Sequence, residues 1–256
     1  MAWIANENER VGSVNVGRGF GGGGPRGSYA GASSAATSAF LGRVFRTMAF
    51  GLGVTGLVAV IIASSPTLLG FFLGNPGVLM VVFLAQLGMV FAFGPVVNRA
   101  SEGAAAAMFF AYSALMGVTM SFIFLRYTGA SIGGTFLVTA GAFGGVAAYG
   151  AVTKRDLSGW GSFLFMGLIG LVLASIVNIF LHSPAIYWLT TFMGVIVFTG
   201  LAAYDTARLK QLAETYDVSG AQGRKLAIQG ALTMYLNFIN LFLTLLRIFG
   251  NDRRRS

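Results

Sequence analysis

The chain has 256 residues, of which 55% are hydrophobic and 10% are charged, and its formal net charge is +9. Soluble domains carry about 25% charged residues, so this composition excludes an ordinary soluble domain and indicates a polytopic membrane protein. The chain has no cysteine and one histidine, which excludes disulfide frameworks, thiolate chemistry and HExxH zinc sites. Its basic residues cluster at the ends of apolar segments and form no stripe with aromatics, so we expect no nucleic-acid partner.

The N-terminal segment, residues 1–38, is rich in Gly, Ser and Ala. Such a composition cannot bury a hydrophobic core, so it predicts a disordered tail. The segment does not begin with a basic and then apolar stretch, so we expect no cleaved signal peptide. We expect residues 39–250 to form one membrane domain and residues 251–256 to form a basic C-terminal tail.

Seven apolar segments follow the tail, each close to the ~20 residues that a helix needs to cross a bilayer. We call them spans 1 to 7, and they cover residues 40–63, 78–97, 104–125, 133–152, 161–181, 185–205 and 226–249. The breaks between them contain helix-stopping residues, as in Ser65-Pro66 and Asn75-Pro76. The predicted fold class is therefore an all-α polytopic membrane protein with seven transmembrane helices, embedded in the lipid bilayer.

The basic residues predict the orientation of the spans. If the N-terminus is cytoplasmic, twelve of the seventeen Lys and Arg residues lie on the cytoplasmic side, the side that such residues favour. These twelve are Arg10, Arg18, Arg26, Arg43, Arg46, Arg99, Lys154, Arg155, Arg208, Lys210, Arg224 and Lys225. Arg247 and the last three arginines would lie outside if span 7 crosses fully and inside if it is re-entrant, so the sequence leaves the side of the C-terminus open.

Small residues at four-residue spacing indicate helix contacts. Ser113, Gly117 and Ser121 form such a ridge in span 3, and Gly141 and Gly145 form one in span 4. Lipid supplies no hydrophobic drive for helix association, so close packing of small side chains takes its place. We therefore expect both ridges to pack against neighbouring helices.

Asp205, at the end of span 6, is the acidic residue that falls within reach of the membrane core. A carboxylate in that environment costs on the order of a few kcal/mol, so it commonly marks an ion path or a proton relay. The alternative is a solvated helix end at the level of the lipid headgroups. Its position in the sequence does not decide between these two interpretations.

Span 7 carries a polar stripe, which we define as Thr233, Asn237, Asn240, Thr244 and Arg247. The spacings of 4, 3, 4 and 3 residues place all five on one helical face. A polar face should avoid lipid and line the bundle interior or a water-filled path. Interhelical hydrogen bonding that only holds the bundle together is an equally good interpretation. Both interpretations predict that span 7 is central.

Three segments resemble the Bax inhibitor-1 family (the transmembrane Bax-inhibitor-motif proteins), in its bacterial branch. They are Tyr149–Ser158, Gly200–Thr206 and Ala231–Gly250, within a similarity that covers about residues 40–250. The Tyr-Asp pair that closes span 6 and the Leu-Phe-x-x-Leu-Leu-Arg-Ile that ends span 7 are the most specific motifs. The resemblance implies seven helices, with the seventh central and wrapped by the other six, in a bacterial inner (plasma) membrane.

The resemblance also implies a pH-sensitive calcium leak, with calcium as the permeant ion and no cofactor. The family pairs an aspartate of helix 6 with an aspartate of helix 7. Two adjacent carboxylates cannot both ionise cheaply, so they titrate as a coupled sensor. Asp205 matches the first position, and Asn237 occupies the second. The family's arginine near the inner end of helix 2, which pairs with the sensor, would correspond to Arg99.

The asparagine changes what the pair is expected to do. Asn237 removes the like-charge repulsion and one negative charge that a divalent cation would prefer. We therefore expect a pH response that is weaker or shifted to more acidic pH, together with weaker calcium selectivity.

The leading functional hypothesis is a non-enzymatic, pH-modulated cation leak in which Asp205 and the polar stripe line the path. Asp205 would be a transient calcium ligand, because a single carboxylate among amides and hydroxyls can admit an ion and still release it. A second hypothesis, suggested by the resemblance, is a non-conducting regulator that binds a membrane-bound protease or another membrane partner through the tail. We do not expect an enzyme, since the chain offers no clustered His and Asp for a metal and no Ser paired with a buried His.

Overall fold

The computed structural model describes residues 26–155, 157–218 and 220–251, with side chains from residue 34 onward except Ser158. Residues 1–25 of the predicted tail and residues 252–256 of the predicted basic C-terminus lie outside the described residues. The described residues form nine helices and no strand. These are α1 (Arg26–Ser64), α2 (Pro66–Gly74), α3 (Pro76–Arg99), α4 (Glu102–Met120), α5 (Ile123–Arg126), α6 (Gly129–Val152), α7 (Ser158–Leu181), α8 (Pro184–Thr215) and α9 (Ala221–Phe249).

Seven helical segments of the described chain are long and apolar enough to cross a membrane, so the predicted fold class is confirmed. The third of them, Glu102–Arg126, combines α4 with the short α5. Polar side chains start several helices where the sequence showed breaks. The hydroxyls of Ser65, Ser101, Thr128 and Ser183 accept backbone N–H groups in the first turns of α2, α4, α6 and α8, as N-cap residues do.

Beyond shifts of a few residues at helix ends, the structure differs from the prediction in three features. Helix α1 begins at Arg26, so residues 26–38 are helical and not part of a disordered tail, consistent with the high helix propensity of their alanines. The short helix α2 was not predicted. Helix α8 does not end at Asp205 but continues to Thr215, because the added segment is rich in helix-forming residues and lacks Gly and Pro.

Helix α9 is at the centre of the bundle, as predicted for span 7. It packs against α8, α1, α6, α4 and α3, whereas α7 packs against α8 on the periphery. Its side chains include some of the most deeply buried of the protein, such as Met234, Tyr235, Leu241 and Leu246. The outward side chains of α3 and α7, such as Phe91 and Phe180, are exposed and apolar, as expected of surfaces that face lipid.

Helix α9 also crosses the whole bundle. Its 29 residues correspond to a length of about 43 Å, more than the ~30 Å of a hydrocarbon core. Beyond its end, the backbone N–H of Asn251 donates to Ser131 Oγ at 2.9 Å, near the start of α6. This geometry disfavours a re-entrant span 7. It places the two ends of α9 at opposite ends of the bundle.

The bundle therefore has two distinct ends. We call the end with the α3–α4, α6–α7 and α8–α9 connections the basic end, because seven basic residues lie there. They are Arg99, Lys154, Arg155, Arg208, Lys210, Arg224 and Lys225. An ion pair between Arg224 and Glu102 joins α9 to α4 at this end. The opposite end, where α5, the α7–α8 connection and the C-terminus of α9 lie, has Arg126 and Arg247 among the described residues.

Candidate functional site

Asp205 is buried between α8 and α9. Its side chain is 8% exposed, and that of Asn237 on α9 is 7% exposed. Asn237 Nδ2 donates a hydrogen bond to Asp205 Oδ2 at 2.7 Å. The interpretation of Asp205 as a solvated helix end is therefore wrong, because α8 continues past it and α9 covers it.

Close packing of α8 against its neighbours positions this carboxylate. One residue further along α8, Thr206 is fully buried and its Oγ1 lies 3.7 Å from Met234 Sδ of α9. On the α6 side, Gly150 lies so close to Ala203 and Thr206 that a side chain at its position would collide with the α8 backbone. These contacts fix the face of α8 that meets α9, and with it the direction of Asp205.

Two cavities meet at Asp205. The smaller, about 170 Å³, lies towards the basic end between α8 and α9, where Leu212, Leu226 and Gln229 contribute to its wall. The larger, about 560 Å³, is bounded by side chains of α3, α7, α8 and α9. Asp205, Arg208 and Thr233 line both cavities. The carboxylate is thus buried in the protein and yet borders a cavity on two sides.

The polar stripe divides between this site and its surroundings. Thr233, Asn237 and Asn240 line the larger cavity. Thr244 is buried against Gly194 of α8, and the guanidinium of Arg247 lies 5.6 Å from the ring centre of Tyr187 towards the opposite end. The structure therefore brings three of the five stripe residues to the carboxylate.

Hydrogen bonding within the stripe is mostly local. Thr233 donates to the carbonyl of Gln229, Asn240 to that of Leu236, and Thr244 to that of Asn240, each one turn back in α9. The bond from Asn237 to Asp205 instead joins two helices. These hydrogen bonds therefore support a role in holding the bundle together for Asn237 more than for its neighbours in the stripe.

The basic residue beside the carboxylate is Arg208, not Arg99. Arg99 ends α3 as an exposed side chain and does not line either cavity. Arg208 lies three residues after Asp205, on the same face of α8, and lines both cavities with it. Sequence analysis missed this neighbour because it ended the helix at Asp205, although the spacing of three residues was visible.

Tyr204 and Ser162 are further residues of the larger cavity that were not predicted. Tyr204 packs against Gly161 so tightly that a side chain at that glycine would overlap its ring. The Tyr-Asp pair in the sequence was a signal for Tyr204. No sequence pattern indicated Ser162, because its position in the cavity depends on how α7 packs against α8.

Asp205 is the one acidic side chain among the described residues that line the two cavities. No group of three or more His, Cys, Asp or Glu side chains that could hold a metal ion occurs within the described residues. Asp205 supplies one negative charge, and Arg208 brings a positive charge to the same cavities. Hard divalent cations are usually held by several oxygen ligands, so a cation would be held weakly here.

Comparison with known proteins agrees with this architecture. Residues 37–254 match the family described as inhibitor of apoptosis-promoting Bax1. The chain is 49% identical over 215 residues to the inner membrane protein YbhL of Escherichia coli (strain K12), covering 84% of this chain and 92% of that protein. It is 41% identical over 225 residues to an uncharacterized protein of Caulobacter vibrioides, covering 84% of this chain and 89% of that protein. An uncharacterized protein of Borreliella burgdorferi is 40% identical over 214 residues, with 84% and 92% covered.

The family match includes all seven predicted spans and both helices that form the buried Asp205–Asn237 pair. The matches confirm the resemblance that the motifs of spans 6 and 7 had indicated. The chain belongs to the Bax inhibitor-1 family and is an integral membrane protein.

Proposed function

We propose that this protein is a pH-modulated cation leak of the inner membrane, with calcium as a permeant ion and Asp205 in its path. The observation that carries the proposal is the buried carboxylate at which two cavities meet. An intramembrane carboxylate is costly and is kept where it contacts ions or protons. The inner membrane location is supported by the name of the Escherichia coli relative, an inner membrane protein.

In terms of this proposal, the structure corresponds to a closed state. Beyond Asn240, towards the opposite end, Thr244, Leu245 and Leu246 are buried by the surrounding helices. Thr244 in particular fills the space beside Gly194. Conduction therefore requires α8 and α9 to separate along this part of their contact.

The state of the carboxylate supplies a means of control. When ionised, Asp205 accepts the hydrogen bond from Asn237, which a charge on the acceptor strengthens. Protonation removes that charge and weakens the bond between α8 and α9. Because Asn237 cannot ionise, the pair lacks the mutual repulsion of two carboxylates, and we expect a shallow dependence of flux on pH.

The test is calcium flux into liposomes that contain the purified full chain, measured from mildly acidic to mildly alkaline pH. Asp205→Asn, whose side chain cannot ionise, should remove the pH dependence of the flux, and Asn237→Asp should steepen that dependence. Glu214→Gln is the matched control, because it removes one carboxylate from the same helix at a residue that does not line the two cavities.

Two results would contradict the leak. One is the absence of calcium flux in the native protein, and the other is equal flux at every pH in the native protein and Asp205→Asn. Either result would favour a non-conducting regulator that binds a membrane protease or another membrane protein.

A further inference from the structure

A separate polar cavity lies at the basic end, where the α6–α7 connection meets α8. It has a volume of about 290 Å³ and borders neither Asp205 nor the polar stripe. Lys154 and Arg155 of the connection and Lys210 and Glu214 of α8 supply its charged walls. Three positive charges and one negative charge give these described residues a net charge of +2.

Thr153 holds the two sides of this cavity together. Its backbone N–H closes the end of α6, and its carbonyl accepts a hydrogen bond from Lys210 Nζ at 3.4 Å. Its hydroxyl accepts the backbone N–H of Arg155 at 3.2 Å. The ammonium of Lys210 is thereby kept beside the connection that carries Lys154 and Arg155, although the three residues come from two elements.

The cations of this cavity are available to a ligand. An ammonium has three donors, of which Lys210 uses one for Thr153. The side chains of Lys154 and Arg155 are exposed and have no ion-pair partner within the described part of the chain. An anion in the cavity would therefore meet unsatisfied donors from three residues.

The cavity lies at the level of the membrane surface. Residues 153–158 connect two membrane spans that end at Val152 and begin again at Gly159. Two large aromatic side chains flank the connection and are exposed on the surface of the helix bundle. They are Tyr149, at 48% exposure, and Trp160, at 59%. Tyr and Trp are enriched where a helix passes from hydrocarbon into the headgroup region. The phosphates of lipids lie in that region.

We propose that this cavity binds the phosphate group of an anionic phospholipid. Arg155 offers the planar donor fork that matches phosphate oxygens, and the two lysines offer point charges. Basic pockets between transmembrane helices bind anionic headgroups in this way. The net positive charge favours an anionic headgroup over a zwitterionic one, and the neighbouring aromatic residues favour a lipid over free phosphate.

Basic residues at a cytoplasmic surface also set topology without binding any ligand. The test therefore compares two triple variants that each lose three of the positive charges predicted to lie on the cytoplasmic side. The cavity triple variant combines Lys154→Gln, Arg155→Gln and Lys210→Gln. The control triple variant combines Arg46→Gln, Arg99→Gln and Lys225→Gln, at three residues that do not line the cavity. Each full-length protein is purified in detergent, and its thermal unfolding is followed during titration with phosphatidylglycerol, phosphatidylcholine or inorganic phosphate.

Phosphatidylglycerol should stabilise the native protein and the control triple variant, whereas phosphatidylcholine and inorganic phosphate should not. The cavity triple variant should bind phosphatidylglycerol roughly a hundredfold more weakly, from the contribution of each basic residue at a membrane surface. If that variant does not fold, Lys154→Gln alone, which changes one exposed side chain of the cavity, should give part of the loss.

Equal responses of the two triple variants to phosphatidylglycerol would overturn the proposal. Stabilisation of the native protein by inorganic phosphate at the same concentration would overturn the assignment to a lipid.

Discussion

The contact between Asp205 and Asn237 shows how one residue changes the chemistry of a buried site. Both side chains are buried, and an amide donor faces a carboxylate across the α8–α9 contact. Unlike a second carboxylate, an amide does not repel the charge of Asp205, and a charge-assisted hydrogen bond is stronger than a neutral one. The pair therefore joins two helices as well as bordering the proposed path.

Removal of the amide should destabilise the protein. We expect Asn237→Ala to lower the free energy of unfolding by about 1.5–3 kcal/mol, because a buried charged group loses its donor. Asn240→Ala is the control, since Asn240 lines the same cavity but bonds to the carbonyl of Leu236 in its own helix. The measurement is denaturant-induced unfolding in detergent, and a loss for Asn240→Ala as large as that for Asn237→Ala would contradict the role of the bond.

The double variant gives an independent check. If the two side chains interact, Asp205→Ala combined with Asn237→Ala should cost less than the sum of the single variants. Strict additivity would show that each side chain acts separately.

Among the elements, α1 and α4 pack closely because α4 has small residues at the contact. Gly117 of α4 faces α1, where an added Cβ would lie 2.6 Å from Val58 Cβ and 2.8 Å from the carbonyl oxygen of Thr55. Thr55 Oγ1 also lies 2.9 Å from the Ser113 carbonyl oxygen and 2.6 Å from the hydroxyl of Tyr235. Ser113 and Gly117 of the ridge predicted in span 3 thus pack against α1, and a polar contact links both helices to the central α9.

The ridge predicted in span 4 behaves differently. An added Cβ at Gly141 or Gly145 of α6 would meet nothing within 4 Å. The expectation that these glycines pack against another helix of the chain is wrong. The inward face of α6 is instead formed by Thr135, Thr139, Phe143 and Ala147, whose larger side chains bury more surface against the bundle.

This difference predicts that a Gly→Ala substitution is destabilising at Gly117 and tolerated at Gly145. Gly117→Ala should lower the free energy of unfolding by about 1–3 kcal/mol, because it overpacks the α1–α4 contact. Gly145→Ala, at a position with open space, should change it by no more than about 1 kcal/mol, the difference in helix propensity. Unfolding in detergent compares the two variants, and equal losses would show that α1 can move away from α4 at little cost.

At the scale of the whole molecule, charge is distributed unequally between the two ends. The basic end carries seven Lys and Arg residues from the connections and adjacent turns, against two at the opposite end among the described residues. Such asymmetry orients a membrane protein with its basic end in the cytoplasm. We therefore propose that the basic end is cytoplasmic and, because α9 is long enough to cross the membrane, that its end at Phe249 lies on the other side.

Single cysteines can test this orientation, since the chain has none of its own. We expect a membrane-impermeant maleimide applied to intact cells to label Ala130→Cys at the opposite end but not Gln222→Cys at the basic end. Both positions are exposed, and lysed cells provide the control in which both should react. Labelling of Gln222→Cys in intact cells would contradict a cytoplasmic basic end.

The sequence by itself determined the class of the protein, the seven spans and the central position of the last one. These properties follow from local quantities: the length of apolar runs, the chemistry of their breaks and the one polar face on span 7. It also identified Asp205 and Asn237, because an acidic residue beside a long apolar run is rare and the family motifs mark both positions.

Only the tertiary structure decided which of these residues meet. Helix α8 continues past Asp205, which makes Arg208 the neighbouring cation and leaves Arg99 outside the site. The choice of which small-residue ridge packs, and the meeting of Lys210 with the α6–α7 connection, likewise depend on how helices turn towards each other. Helix rotation is set by the sum of many side-chain contacts between segments far apart in the chain, and no local pattern contains that sum.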